Sequence, residues 1–346
     1  MASAKSNVWL NRFAWFTAAA TLFLICSGGM VTSKGVGLAV PDWPTTFGYN
    51  MFLFPFSKWV GGIFFEHTHR LIASAVGFLT IILTIWIWRA DSRRSLRWLG
   101  VAALGAVILQ GVLGGLRVTM LKDQIGIFHA GLAQAFLGLL VVIAIATTGR
   151  RRSLSVSVNQ NDLKRIGRIA VFTVIAVYIQ LALGATMRHQ HRDLSILDFP
   201  TANGQWIPDT SPSAIARINA WRDTQGLSDV NAFQIWLQMA HRFGALVVAA
   251  GAITVWSALR KSNSRFPLLP TLSNVLLGLV FCQILLGVWT IWSNKAADVA
   301  TAHVAFGATI FALTIAFCTI CYRLGHSESL PVMSESPISA KLAVSS

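Results

Sequence analysis

The sequence predicts an all-α protein that crosses a membrane eight times, folded as two pseudo-symmetric four-helix bundles. Three observations support this fold class: the composition, eight long apolar runs, and a repeated pattern of polar residues within those runs. The chain of 346 residues is 54% hydrophobic and only 12% charged, whereas about 25% of the residues in an average soluble domain are charged. This balance is typical of a polytopic membrane protein.

Each predicted helix corresponds to an apolar run that is long enough to cross a bilayer, which takes about 20 residues in a helix. The runs are residues 12–32, 63–88, 98–119, 126–148, 167–187, 233–258, 271–293 and 299–322. We expect the first run to be a retained span rather than a signal peptide, because no small-residue cleavage site follows it. The lack of an Arg-rich and Ser-rich transit segment favours the bacterial inner membrane as the location.

The positive charges predict the orientation of the spans. The formal net charge is +15, but the Lys and Arg residues lie mainly between the apolar runs, so we interpret them as topology signals and not as a nucleic-acid-binding surface. The connections at 89–97, 150–168 and 260–265 are basic and fall on one side of the membrane. The positive-inside rule makes this side cytoplasmic. Both termini are then cytoplasmic, and the opposite side is called the outer side below.

Two long connections lie on the predicted outer side, at residues 33–62 and 188–232. Connections of this length are usually functional or disordered. We expect them to be partly folded lids on the membrane face. His189 and His191, at the start of the second connection, are expected to lie in a solvated loop end.

Polar residues within the apolar runs form an internal repeat. Three pairs of segments match in order: Glu66-His67-Thr68-His69-Arg70 with Gln238-Met239-Ala240-His241-Arg242, Gln110 and Gly114 with Gln283 and Gly287, and His129 with His303. The matched residues are separated by 172, 173 and 174 positions, which predicts a duplicated chain. The predicted units are an N-terminal half, residues 1–148, a basic linker, residues 149–166, a C-terminal half, residues 167–322, and a disordered tail, residues 323–346.

Four histidines occupy matched positions in this repeat. His69, His129, His241 and His303 each lie within about two turns of the outer end of a predicted span. A haem iron with two axial imidazoles needs two histidines at one height on facing helices, so His69 with His129 and His241 with His303 are candidate ligand pairs. For any single histidine, the alternative is a hydrogen-bonded core imidazole. Zinc is a poorer candidate, because its sites take three or four protein ligands.

Glu66 is the candidate for chemistry. It lies three residues before His69 and so shares its helical face, whereas the matching residue in the second half is the neutral Gln238. This difference predicts that the first half is catalytic and that the second half only holds a cofactor. A Glu66–Arg70 ion pair between residues four apart is an alternative interpretation, and it is compatible with the first.

Other polar residues near the histidines are candidates for supporting roles. Arg70 and Arg242 each follow a candidate ligand and are expected to bind haem propionates, with snorkelling towards the headgroups as the alternative. His67 is two residues from His69, on the opposite helical face, and its role stays open. Glycines at the outer ends of the odd-numbered runs either make room for a flat macrocycle or allow close helix contacts: they are Gly28, Gly29, Gly114, Gly115, Gly184 and Gly287.

These motifs resemble those of the heme A synthase family, membrane enzymes that convert heme O to heme A for cytochrome c oxidase. The resemblance covers residues 12–322, and the first outer connection lacks the cysteine pair of one branch, so the chain is similar to the cysteine-free branch of aerobic bacteria and mitochondria. The residues that carry it are Glu66-x-x-His69-Arg70, Ile127-Phe128-His129-Ala130, Gln238-x-x-His241-Arg242, Thr301-Ala302-His303 and Gly28-Gly29-Met30-Val31-Thr32.

The resemblance implies a role for each half. His69 with His129 would embrace the substrate haem, which enters as heme O and leaves as heme A, and His241 with His303 would bind a permanent heme b. Glu66 would be catalytic in oxidising a ring methyl to a formyl group through hydroxylated intermediates. The implied partners are heme O, an electron donor of unspecified identity, heme O synthase, the lipid bilayer and a second copy of the chain. A diheme electron-transfer cytochrome with the same four ligands and a haem carrier are the rival hypotheses.

Overall fold

The computed structural model describes residues 7–148, 160–189, 194–262 and 268–325. Within these ranges, eight long helices have the length and composition needed to cross a membrane, which confirms the predicted all-α polytopic fold. A ninth, short helix, α6, lies in the second outer connection. The helices are α1 (Val8–Ser33), α2 (Gly61–Ala90), α3 (Arg94–Met120), α4 (Asp123–Thr147), α5 (Gln160–His189), α6 (Pro212–Thr224), α7 (Ala232–Lys261), α8 (Leu269–Trp292) and α9 (Ala297–Gly325).

Helix α5 begins earlier than its apolar run, inside the stretch expected to be a linker. Its first turns carry charged residues, but Leu163 and Ile166 are buried there against Phe317 and Cys321 of α9. The first turns of α5 therefore keep a buried apolar face although their mean hydropathy is low, and this face extends the helix towards its N-terminus. The rest of the expected linker, residues 149–159, and the expected tail beyond residue 325 lie outside the described residues.

The long helices form two groups of four. In the first group α1 packs on α2 and α4, and α3 packs on α2 and α4. In the second group α5 packs on α7 and α9, and α8 packs on α7 and α9. The groups meet where α1 and α4 contact α9 and where α4 contacts α5. Both groups therefore contain the same set of helix pairs. A symmetry axis between them and the cytoplasmic location of the termini stay predictions.

The two outer connections contain the same turn, which extends the repeat beyond the helices. In the first connection the Asp42 carboxylate accepts hydrogen bonds from the Thr45 hydroxyl at 2.5 Å and from the N–H groups of Phe47 and Gly48 at 2.7 and 2.9 Å. Each turn also contains a cis X-Pro peptide bond, Trp43-Pro44 or Phe199-Pro200.

The second turn reproduces these contacts. The Asp198 carboxylate accepts from the Thr201 hydroxyl at 2.6 Å and from the N–H groups of Asn203 and Gly204 at 2.7 and 2.9 Å. In both turns the last two of these residues have positive φ: 51° and 76° for Phe47 and Gly48, and 53° and 79° for the second pair. The shared sequence Asp-aromatic-Pro-Thr therefore encodes one local structure, used twice.

Arg188 connects the two groups at their outer ends. It lies near the end of α5, and its guanidinium donates to the Gly29 carbonyl at 2.5 Å and to the Ser33 hydroxyl, both on α1. A longer contact of 3.5 Å reaches the Ala300 carbonyl on α9. Hydrogen bonds from a charged donor are stronger than neutral ones. Arg188 therefore helps to fix the position of the second group against the first.

Candidate functional site

One cavity of about 940 Å³ lies between the two groups and receives side chains from both. It brings together the four predicted ligands, His69, His129, His241 and His303, and the three other predicted site residues, Glu66, Arg70 and Arg242. Residues that are more than 170 positions apart in the sequence thus face one cavity. All seven site residues predicted from the sequence therefore line the same cavity.

Each of the four imidazoles lies against a glycine of the neighbouring helix. A Cβ atom built on Gly28 would lie 2.9 Å from His69 Cε1, and one on Gly114 would lie 3.4 Å from His129 Cε1. The second group repeats this contact, with 3.1 Å between such an atom on Gly184 and His241 Cε1, and 3.1 Å between one on Gly287 and His303 Cε1. A side chain at these glycines would press on the ring, so the glycines leave the space in which each imidazole sits.

Glutamines hold the backbones of three of these histidines. The Nε2 groups of Gln110, Gln180 and Gln283 donate to the carbonyls of His129, His241 and His303 at 3.0, 2.8 and 2.9 Å. Each glutamine precedes its glycine by four residues, and α1 has Leu24 at that position instead. Sequence reasoning missed Gln180, although the Gln-x-x-x-Gly spacing in α5 would have identified it.

The geometry fits a metal that needs only two protein ligands. The ring centroids of His241 and His303 are 6.3 Å apart, with 67° between the ring planes. An ion bound to two imidazole nitrogens at about 2.0–2.1 Å from each would separate the centroids by about 6 Å. In the described part of the chain no group of three or more His, Cys, Asp or Glu side chains is placed to hold a metal ion. A pair of histidines alone suits haem iron, whose macrocycle supplies the other ligands.

Hydrogen bonding does not explain the positions of the four half-buried rings. Their Nδ1 atoms are enclosed and have no hydrogen-bond partner among the described residues. Buried polar atoms normally have such partners. The interpretation as hydrogen-bonded core imidazoles, which the sequence left open, therefore loses support.

Glu66 and Gln238 hold the two outer connections in the same way. Glu66 is 4% exposed; its carboxylate accepts from the Val40 N–H at 2.9 Å and from the Arg70 guanidinium at 2.8 Å. The Gln238 amide accepts from the N–H of Ile196 at 2.9 Å and donates to the carbonyl of that residue at 2.9 Å. The predicted ion pair of Glu66 is present, but the example of Gln238 shows that a neutral amide can hold such a connection. The second group therefore holds its connection without a charge at this position.

Arg70 and Arg242 line the cavity and also hold the repeated turns. Arg70 donates to the Asp42 carbonyl at 2.7 Å and the Val40 carbonyl at 2.8 Å. Arg242 donates to the Asp198 carbonyl at 2.7 Å and the Thr201 carbonyl at 2.9 Å. Both guanidiniums are thus used inside the protein and do not snorkel to the surface. Their predicted contact with propionates stays a prediction.

Sequence reasoning missed two further arginines of the cavity, Arg117 at the end of α3 and Arg188 at the end of α5. Arg117 packs against Gly37, where a Cβ atom would lie 3.0 Å from Nη2, and no carboxylate of the described chain lies within ion-pair distance of it. The sequence did offer a signal for them: both arginines lie on the predicted outer side, where the charge pattern predicts few basic residues. Four arginines and Lys295 against one carboxylate make the cavity electropositive, which suits an anionic ligand.

Two histidines outside the predicted pairs have defined positions. His67 is fully buried, accepts or donates a hydrogen bond at 3.2 Å to the Thr46 hydroxyl, and packs between Phe54 and Trp59 of the first connection. It therefore faces away from His69. The expectation of a solvated His189 is wrong: it is 5% exposed, because its ring packs against Gly126 of α4. His191 lies outside the described residues.

Fold and site together define an integral membrane protein whose cavity presents two pairs of histidines, one from each four-helix group. The sequence model of the COX15-CtaA family, described as cytochrome oxidase assembly protein, matches residues 11–315. Because that match covers most of the chain, and curated relatives bear the name, the chain belongs to the heme A synthase family.

The relatives come from several bacteria. The heme A synthase of Shouchella clausii is 31% identical over 212 residues, which cover 60% of this chain and 68% of that protein. That of Bacillus licheniformis is 26% identical over 328 residues, covering 92% and 97%, and that of Shewanella oneidensis is 26% identical over 347 residues, covering 93% and 97%. With eight apolar helices and such relatives, the chain is a multi-pass protein of the bacterial inner membrane.

The stability of the two turns held by the Asp42 and Asp198 carboxylates is expected to depend on pH. Burial raises the pKa of both carboxyls, but the hydrogen bonds that they accept outweigh it and lower the pKa of each below its usual value. A carboxylate with a lowered pKa stabilises the folded state above its unfolded pKa, about 3.9, and loses that effect as the pH falls through the folded value. We therefore expect both turns to be protected at pH 5–8 and to loosen below about pH 4.

Hydrogen exchange at the Phe47 and Gly48 amides, expressed as protection factors, would measure this effect. An Asp42→Asn variant should lose the pH dependence in the first turn and keep it in the second, which serves as an internal control. Equal protection of the wild-type turns at pH 3 and pH 6 would contradict the prediction.

Proposed function

We propose that this protein converts heme O to heme A, oxidising a ring methyl to a formyl group through hydroxylated intermediates, for the assembly of cytochrome c oxidase. The observation that carries the proposal is a shared cavity with two equivalent histidine pairs and a carboxylate beside only one of them. A purely electron-transferring diheme protein would give no reason for that difference. The heme A synthases among its relatives support the same conclusion.

In this proposal the two groups of helices have different roles. The first, within residues 1–148, binds the substrate haem between His69 and His129. The second, within residues 167–322, binds heme b between His241 and His303. Heme b, once bound, supplies one-electron redox chemistry. The glycines and glutamines beside the histidines keep each ring in position before a ligand arrives, which lowers the ordering cost of binding.

Glu66 is the proposed catalytic residue. Its carboxylate is almost completely buried yet lines the cavity, and Arg70 holds one of its oxygens. A carboxylate so placed is suited to stabilise positive charge on the carbon being oxidised or to accept a proton from the hydroxylated methyl group. Its fixed position means that little reorganisation is needed when that charge develops.

Binding of the propionates is proposed for the arginines of the cavity. Arg70 and Arg242 were predicted from sequence, and the position of Arg117 makes it a third candidate, with a guanidinium that has no carboxylate partner in the described chain. Paired N–H donors of an arginine match the two oxygens of a carboxylate. Such contacts would orient the macrocycle with its propionate edge towards the outer side.

The overall reaction can be tested by pigment analysis. The full-length protein is expressed together with a source of heme O, and its haems are extracted with acid and separated by chromatography. We expect heme A or its hydroxymethyl precursor to accumulate, because the proposed site oxidises the bound substrate. Bound heme O that stays unmodified in cells with an active respiratory chain would contradict the proposal.

Replacing the carboxylate tests its catalytic role. Glu66→Gln should retain both haems, because the amide oxygen can still accept from the Val40 N–H as Gln238 does in the second group. The rate at which haem with a hydroxymethyl or formyl group forms should fall by about a hundredfold or more, in line with the loss of a group that assists proton transfer. The matched control, Gln238→Glu, should keep the wild-type rate. Normal formyl production by Glu66→Gln would exclude the role.

The assignment of the two histidine pairs predicts distinct haem contents. His303→Ala should lose heme b and the haem absorption of the second group, because one of the two residues that would hold the haem is absent. His129→Ala should keep heme b and bind heme O poorly. Haem content per chain and absorption spectra of the purified variants measure both effects. Loss of the same haem from both variants would refute the assignment.

A further inference from the structure

The cavity extends past the first histidine pair into a slot between α2 and α3. This slot, called the α2–α3 slot, is formed by Ser74, Gly77, Ile81, Leu104, Ile108 and Gly111, all of which line the cavity. Two of these residues, Ile81 and Ile108, are also 43% and 59% exposed. Because these large exposed fractions belong to residues that line the cavity between α2 and α3, we interpret the slot as opening sideways between the two helices.

Glycine makes the slot wide. Cβ atoms built on Gly77 and Gly111 would have no neighbouring atom within 4 Å. These residues therefore leave open space and do not support a close helix contact. Since the spans of this protein face lipid, the opening between α2 and α3 leads to the hydrocarbon of the bilayer.

The second group has larger side chains at the matching positions. With the offset of 172 that relates α2 to α7, Ser74 and Gly77 correspond to Leu246 and Ala249. With the offset of 173 that relates α3 to α8, Gly111 corresponds to Ile284. All three replacements are larger side chains, and two of them, Leu246 and Ile284, line the cavity.

The deeper part of the slot has no counterpart in the cavity of the second group. The residues that match Ile81, Leu104 and Ile108 are Ile253, Leu277 and Phe281. In the structure of the described residues these three do not border the cavity, and neither does Ala249. The cavity is therefore similar around both histidine pairs, but within the described residues it extends further along the helices only in the first group.

We infer that the α2–α3 slot holds the farnesyl tail of the haem substrate. This inference rests on the proposed function. The slot is continuous with the cavity around His69 and His129, its walls are apolar except for one serine, and from His69 to Ile81 it follows twelve residues of α2, about 18 Å of helix. An isoprenoid chain gains free energy by staying in apolar surroundings, and an opening towards lipid lets it enter without crossing water.

The slot also explains how one protein sorts two haems. Heme O carries the farnesyl tail, whereas heme b does not. The first group offers space for the tail, whereas in the second group Ile284 lies at the position where Gly111 leaves the slot open. Selectivity then comes from a steric clash against the wrong ligand as well as from a fit to the right one.

Transplanting the second-group residue tests the inference. In Gly111→Ile, the added side chain should fill the slot and weaken heme O binding by about tenfold or more, since even one or two misplaced methylenes change selectivity by that much. Binding of heme B, which lacks the tail, should stay within about twofold of wild type. Purified full-length protein with its heme b site filled is titrated with each haem, and absorption spectra report binding.

The control and the opposing outcomes are defined by the same titration. Gly105 lies on α3, is exposed, and also has open space around its Cβ position, but it does not line the slot, so Gly105→Ile should leave both affinities unchanged. Unchanged heme O binding by Gly111→Ile, or an equal loss for both haems, would overturn the inference. A wild-type protein that binds heme O but forms no heme A would refute the proposed function, while a selective loss in Gly111→Ile would still support the slot.

A reciprocal variant keeps the test valid if Gly111→Ile does not fold. The double change Leu246→Ser with Ile284→Gly removes bulk from the second group and gives it the residues of the first. We expect this variant to bind a second equivalent of heme O, measured by pigment extraction. Continued exclusion of heme O from the second group would count against the slot.

Discussion

The contact between an imidazole and a glycine of the next helix is the constraint around which the site is built. It occurs four times, at His69, His129, His241 and His303, and each contact brings two helices close enough for the ring to lie in a fixed place. Three of the four are reinforced by a glutamine bond to the histidine backbone. In a membrane, where packing rather than hydrophobic burial holds helices together, such contacts set both the shape of the bundle and the width of the cavity.

The duplication preserves this architecture and changes a few charges within it. Glu66 and Gln238 each hold an outer connection through its backbone, and Arg70 and Arg242 each hold an Asp-aromatic-Pro-Thr turn. Because the neutral Gln238 is sufficient for the structural task, the buried charge of Glu66 is an added cost that needs another explanation. The proposed catalytic role supplies one, and the need for Arg70 as its partner follows from keeping that charge inside the membrane protein.

The sequence predicted those features that depend on regular spacing. Apolar length located the eight spans, and the near-constant offsets matched His69 to His241, which line the same cavity. The sequence did not predict features that depend on contacts between helices. His189 is buried because Gly126 of α4 lies beside it. Helix α5 starts early because Leu163 packs against α9. The slot follows from comparing side-chain volumes at aligned positions, a comparison that has meaning only once α2 is known to pack on α3.

The cavity has opposite character at its two ends, and this polarity gives a ligand one preferred orientation. Arginines gather at the outer end, where α3 and α5 finish, whereas the α2–α3 slot runs inward between apolar side chains. A haem with carboxylates on one edge and an isoprenoid tail on the other satisfies both ends at once, and the reversed orientation would bury carboxylates among apolar groups. The second group also has an arginine at its outer end, but among the described residues no apolar slot runs inward from its histidines. Orientation through the tail would therefore be available only to the haem proposed to bind beside Glu66, where the position of one ring methyl would decide the proposed reaction.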